Sequence, residues 1–184
     1  MERPCVQRLP GSQLIADRVQ GAGLQGFMAW LQTSALGHFM RESGPWTYAI
    51  VNLAHILGIA SLFGAIVILD LRLLGVWRRT PLAALADAAA PVAACGFALA
   101  AASGVALLAT KATEYIGNPF LYIKFPAIAI GLLNALIVSL SPAWRERRSR
   151  ELSPLETRQL AWMAAVSLAC WLTAIGAGRM IAYW

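Results

Sequence analysis

His55 stands in a long apolar run, WTYAIVNLAHILGIASLFGAIVILDLRLLG, which carries Asp70 and Arg72 at its far end. An imidazole in such surroundings has two chemistries open to it. It can ligate a metal or a haem iron through a ring nitrogen, or it can sit neutral and buried, bonded to a carbonyl or to Asn134. Asn52, Gly58, Ile59 and Leu62 share its helical face by the three- and four-residue rule, and Gly58 leaves room there for a flat ligand. Lys124 and Arg179 lie at a comparable depth in two other apolar runs, with Glu114 just beyond them. Two cations near one imidazole suit haem b, whose carboxylates they would hold while the iron takes His55. They also suit the membrane interface, to which long basic side chains snorkel. His38 is the second histidine of the chain and the candidate second ligand, provided its segment folds back over His55. Asp70 and Arg72, two residues apart, cannot face each other on a helix. Together with Glu114 they are read as structural charges that fix helix ends.

The elements that must position these residues are legible from hydropathy. Of 184 residues 59% are hydrophobic and only 13% charged, which is too apolar for a water-soluble domain of this size. A hydrocarbon core of roughly 30 Å needs about 20 apolar helical residues. The chain supplies four such runs, at about 46–71, 88–110, 119–141 and 159–181. The loops between them are short, so consecutive spans must lie side by side and antiparallel. The predicted fold is an all-α integral membrane protein, an up-down bundle of four transmembrane helices in a single membrane domain, 22–184. The segment 22–40 is apolar but interrupted by Gln25, Gln32 and His38, and it reads as an amphipathic interfacial helix rather than a span. Residues 1–21 are polar, without the apolar core of a signal peptide, and read as a tail.

The net charge of +6 does not point to nucleic acid, because the arginines cluster in loops beside apolar runs. Arg72, Arg78 and Arg79 follow the first span, and Arg145, Arg147, Arg148, Arg150 and Arg158 separate the third from the fourth. By the positive-inside rule both loops are cytoplasmic and the C-terminus is outside, which puts His55 in the outer half of a bacterial inner membrane. Steps of four between small residues, Ala60 to Gly64 in the first span and Gly96, Ala100 and Gly104 in the second, predict close helix packing, within the bundle or against other membrane subunits. Cys5, Cys95 and Cys170 have no paired spacing and read as packing residues. Nucleotide-binding and hydrolase motifs such as GxxxxGK[ST] and GxSxG do not occur, which speaks against an enzyme acting on its own.

Three stretches, LAHILGIASLFGAIVILDLRLLG, ASGVALLATKATEYIGNPFLYIKFPAIAIGLLNALI and GRMIAY, resemble an uncharacterised family of small bacterial inner-membrane proteins. That family is similar to the copper-resistance D proteins and, more distantly, to the haem-containing membrane protoporphyrinogen oxidase. The resemblance implies a four-helix bundle with an inward histidine in the first helix, here His55, and a lysine early in the third, here Lys124. It implies haem on the oxidase side and copper passage on the other, although no methionine-rich or histidine-rich outer loop occurs here. The resulting expectation is a haem b or hydrophobic redox cofactor on His55, in a small electron-transfer or anchor subunit. The alternatives are a structural accessory subunit and a copper-transport-like protein.

Overall fold

The computed structural model describes residues 23–184, so the expected polar tail at 1–21 lies outside the described residues. Helix α1 covers 23–33, α2 Ala35–Glu42, α3 Gly44–Leu73, α4 Leu82–Thr110, α5 Pro119–Leu140, α6 Pro142–Arg145 and α7 Pro154–Met180. Short 3-10 turns at Ala112–Tyr115 and Ile181–Tyr183 follow α4 and α7. The described residues contain no strand. Four helices, α3, α4, α5 and α7 with its 3-10 extension, are long and apolar enough to cross a membrane.

Two of these spans begin earlier than hydropathy alone indicates. Helix α4 starts at Leu82 instead of 88, because LAALADAAA is made of strong helix formers although Asp87 interrupts its apolarity. Helix α7 starts at Pro154 instead of 159 because Ser153 and Glu156 form a reciprocal capping box with proline in the first turn. Replacing Ser153 by alanine is expected to lower stability by about 1 kcal/mol. Thermal unfolding of the purified protein in detergent measures this, with exposed Ser139→Ala as the control that should barely move.

The helices form two tight pairs, α3 with α4 and α5 with α7, joined where α3 meets α7. Helix α4 shares no comparable interface with α5, so the ring of four stays open on that side. In the α3–α4 pair the closest approach is glycine against backbone. A Cβ on Gly58 would lie 2.6 Å from the Ala100 nitrogen, and one on Gly96 would lie 2.5 Å from the Leu62 nitrogen. The α5–α7 pair is built on Trp171, which is buried against Gly131 and meets Phe97 of α4 edge-on with ring centroids 6.2 Å apart. Asn134 of α5 donates to the Met163 carbonyl of α7 at 3.0 Å, and so is not the partner of His55.

The segment expected as one interfacial helix at 22–40 is two short helices broken at Ser34. The Ser34 hydroxyl caps α2 by accepting from the Gly37 N–H at 3.2 Å. Gln32, which makes this stretch a poor span, is the acceptor that ties it down. Its Oε1 takes the Thr113 N–H at 2.9 Å and the Thr113 hydroxyl at 2.8 Å. Met28 and Leu31 bury against Ala109, Ala112 and Leu121, closing the bundle at the end opposite the arginines. At that arginine-rich end Asp87 receives Arg147 at 2.8 Å and Arg148 at 2.6 Å, holding the α6–α7 loop against the start of α4.

Candidate functional site

His55 lies on α3 two turns beyond the nearest aromatic-rich end, and its ring is directed at α4. Its Nδ1 is 2.8 Å from the Ala100 carbonyl oxygen and 3.2 Å from Ser103 Oγ. A helix carbonyl only accepts, so in the neutral ring Nδ1 carries the hydrogen and Nε2 carries the lone pair. Ser103 donates its own hydroxyl to the Leu99 carbonyl at 2.5 Å, which leaves its oxygen free to share the imidazole N–H. The ring fits against α4 because residue 104 is glycine: a Cβ there would be 2.9 Å from His55 Cε1. Of the four-residue steps in the second span, Gly96 serves helix contact, as expected, whereas Gly104 makes space for a side chain.

Lys124 repeats this arrangement in the other helix pair. It is half-buried on α5, and a Cβ on Gly178 of α7 would come within 3.3 Å of its Nζ. His55 and Lys124 are within Coulombic reach of each other. Lys124 has no carboxylate partner among the described residues. Each inward polar side chain is thus seated on a glycine of its antiparallel neighbour, and the two come from different helix pairs. Asn52 is half-buried on α3, three residues before His55.

The remaining residues expected at this site lie elsewhere. Arg179 is exposed, with Nη2 donating to the Tyr183 hydroxyl at 2.5 Å and the guanidinium 4.9 Å above the Tyr183 ring. The reason is helical geometry. Gly178 takes the face towards Lys124, and the next residue is turned by about 100°. His38 is exposed as well, with Nδ1 3.5 Å from Glu42, because buried Gly37 takes the inward position of α2 beside it. It does not fold back onto His55. The three charges read as structural form no common network. Glu114 pairs with Lys111 at 3.2 Å on the exposed cap. Arg72 donates to the carbonyls of Thr80 at 2.7 Å and Arg78 at 3.2 Å. Asp70 is buried without either of them. In the same cap as Glu114, burial pushes the Tyr115 phenol above its ordinary range, reinforced by Tyr48 and Glu114.

Sequence reasoning missed Ser103 and Trp171. Ser103 is the one serine among the alanines of its span, directly before Gly104, and that is its signal. Trp171 stands among apolar residues of its span and carries no such signal. Two shallow apolar grooves lie away from His55. One runs along α3 and α4 by Ser61, Pro91 and Cys95, and the other lies between α1 and α5 by Met28, Tyr122 and Phe125.

Four antiparallel apolar helices, a helical cap and a single inward histidine define a multi-pass helical membrane protein. Within that class the chain belongs to a family of unknown function (DUF6644), whose match extends over residues 27–184. No curated protein and no solved structure matches it.

Proposed function

We propose that this protein binds haem b, or another flat hydrophobic redox cofactor, through His55, and serves as a small electron-transfer or anchor subunit of a bacterial inner membrane. The observation that carries the reading is the Nδ1–H of His55 donated to the Ala100 carbonyl at 2.8 Å, which leaves Nε2 as an unprotonated donor. Histidines that ligate metals are held in this way, their second nitrogen anchored to a carbonyl or carboxylate. The residues fit one side of such a group. Lys124, a half-buried cation without an anion beside it among the described residues, suits a cofactor carboxylate, and the open side between α4 and α5 suits a planar body. A bound haem would supply reversible one-electron transfer. The chain itself orients the imidazole, fixes its tautomer and offers a cation to the anionic edge.

The purified protein, reconstituted with hemin, is expected to show a Soret band that His55→Ala abolishes and that Lys124→Ala weakens. Absence of the band, or a band indifferent to His55→Ala, overturns the reading.

A second reading, a structural subunit of a larger membrane complex, is favoured by α5. Its apolar side chains Ile123, Phe125, Ile130, Leu133, Leu136 and Ile137 are all exposed, and it has no interface with α4 comparable to that with α7. A chain that stays monomeric in mild detergent and migrates alone in native membranes counts against it.

A further inference from the structure

Asp70 is the buried carboxylate of the described residues, and nothing at the His55 site uses it. It lies in the last turn of α3, is 5% exposed, and its Oδ2 has no hydrogen-bond partner among the described residues. The side chain beside it is Ser167 of α7, itself buried. Charged and polar groups of the surrounding elements are engaged elsewhere or stand off from it. On α3, Arg72 holds the carbonyls of Thr80 and Arg78, and Arg78 of the following turn donates to the Gly75 carbonyl at 3.2 Å. On α4, Asp87 is occupied by Arg147 and Arg148. On α5, Asn134 is spent on the Met163 carbonyl. On α7, Arg158 is nine residues from Ser167, about 13 Å along the axis.

A carboxylate anion at this place would be an unpaired charge in a low-dielectric interior, and it would stand at the negative end of the α3 dipole. The neutral acid avoids both costs. It has one donor and one acceptor, and the Ser167 hydroxyl can complement either. We propose that Asp70 is a proton-binding site inside the membrane, a carboxyl that carries a proton at rest and, beside Ser167, exchanges it with water at the arginine-rich end. About one helical turn separates it from the end of α3. Loading and unloading make and break one O–H bond at Asp70 with water as the proton donor and acceptor, so no other reactant is consumed.

Infrared spectroscopy of the full protein with aspartate side chains labelled with 13C tests this directly. The chain has aspartates only at Asp17, Asp70 and Asp87, and Asp87 is ion-paired. At mildly acidic pH the expected result is an isotope-sensitive carbonyl stretch of one protonated carboxylic acid per chain. The band should be lost on raising the pH and missing in Asp70→Asn, whose amide still complements Ser167. A wild-type spectrum without an isotope-sensitive acid band overturns the proposal, and this needs no variant to fold. A band that persists in folded Asp70→Asn overturns it too.

Discussion

Leucine in place of Gly58 or Gly96 is expected to separate α3 from α4 and to leave little folded protein. Even the first added atom meets main chain: at Gly58 the Ala100 nitrogen at 2.6 Å and the Gly96 carbonyl oxygen at 3.0 Å, at Gly96 the Leu62 nitrogen at 2.5 Å and the Gly58 carbonyl oxygen at 2.9 Å. Main-chain atoms cannot rotate away as a side-chain tip can, so whole helices must move apart. In lipid there is no hydrophobic drive to hold the helices together, and close van der Waals packing at small residues carries the association. Overpacking a well-filled contact costs typically 1–3 kcal/mol, and leucine at these two sites is expected at or above about 3 kcal/mol for the same reason. Gly64 and Gly176 supply the controls, since nothing lies within 4 Å of a Cβ at either. Unfolding in mixed micelles should show Gly58→Leu and Gly96→Leu far less stable than Gly64→Leu and Gly176→Leu. Equal stabilities in the four would refute the interface.

Alanine at Gly104 is expected to empty the histidine site without dismantling the bundle. Here the added carbon meets only the His55 ring, at 2.9 Å from Cε1 and 3.4 Å from Nδ1, and a side chain can yield where a backbone cannot. Yielding, however, breaks the 2.8 Å bond from Nδ1 to the Ala100 carbonyl, which sets both the direction of the ring and the tautomer. The chain has two histidines, so the 15N spectrum of histidine-labelled protein contains two imidazoles. The wild-type His55 signal should be that of an Nδ1–H tautomer, and Gly104→Ala should move it towards the exposed His38 pattern while the helical content stays. With hemin present, the Soret band should fall nearly as far as in His55→Ala. A Gly104→Ala protein with an unchanged imidazole spectrum would mean that the ring does not depend on that space.

Paired together, the two substitutions separate the roles of glycines that look alike in the sequence. Gly96 and Gly104 stand on one face of α4 at four-residue multiples, and spacing alone does not tell them apart. What distinguishes them is the residue opposite on α3: the backbone at Leu62 for one, an imidazole for the other. The same limit applies to the cations. Lys124 and Arg179 have similar depth and similar side chains, yet one is turned inward over Gly178 and the other outward onto Tyr183.

The spans, their order, their antiparallel run and the charge asymmetry of their ends were determined by the sequence alone. Hydropathy over 20 residues and the shortness of the loops leave few alternatives in a bilayer. Hydropathy also placed His55 inside an apolar helix, as a ligand or as a buried neutral imidazole. Tertiary structure alone decided which helices pair, that the ring of four is open between α4 and α5, and that Gln32 ties a two-helix cap to Thr113. It also decided which nitrogen of His55 is anchored, and that Asp70 is buried without a counter-charge among the described residues. The reason is that an apolar helix presents nearly the same surface all round, so its partners are selected by where small residues let backbones approach. That selection, made between residues far apart in the chain, determines which polar side chains find partners and which are left for chemistry.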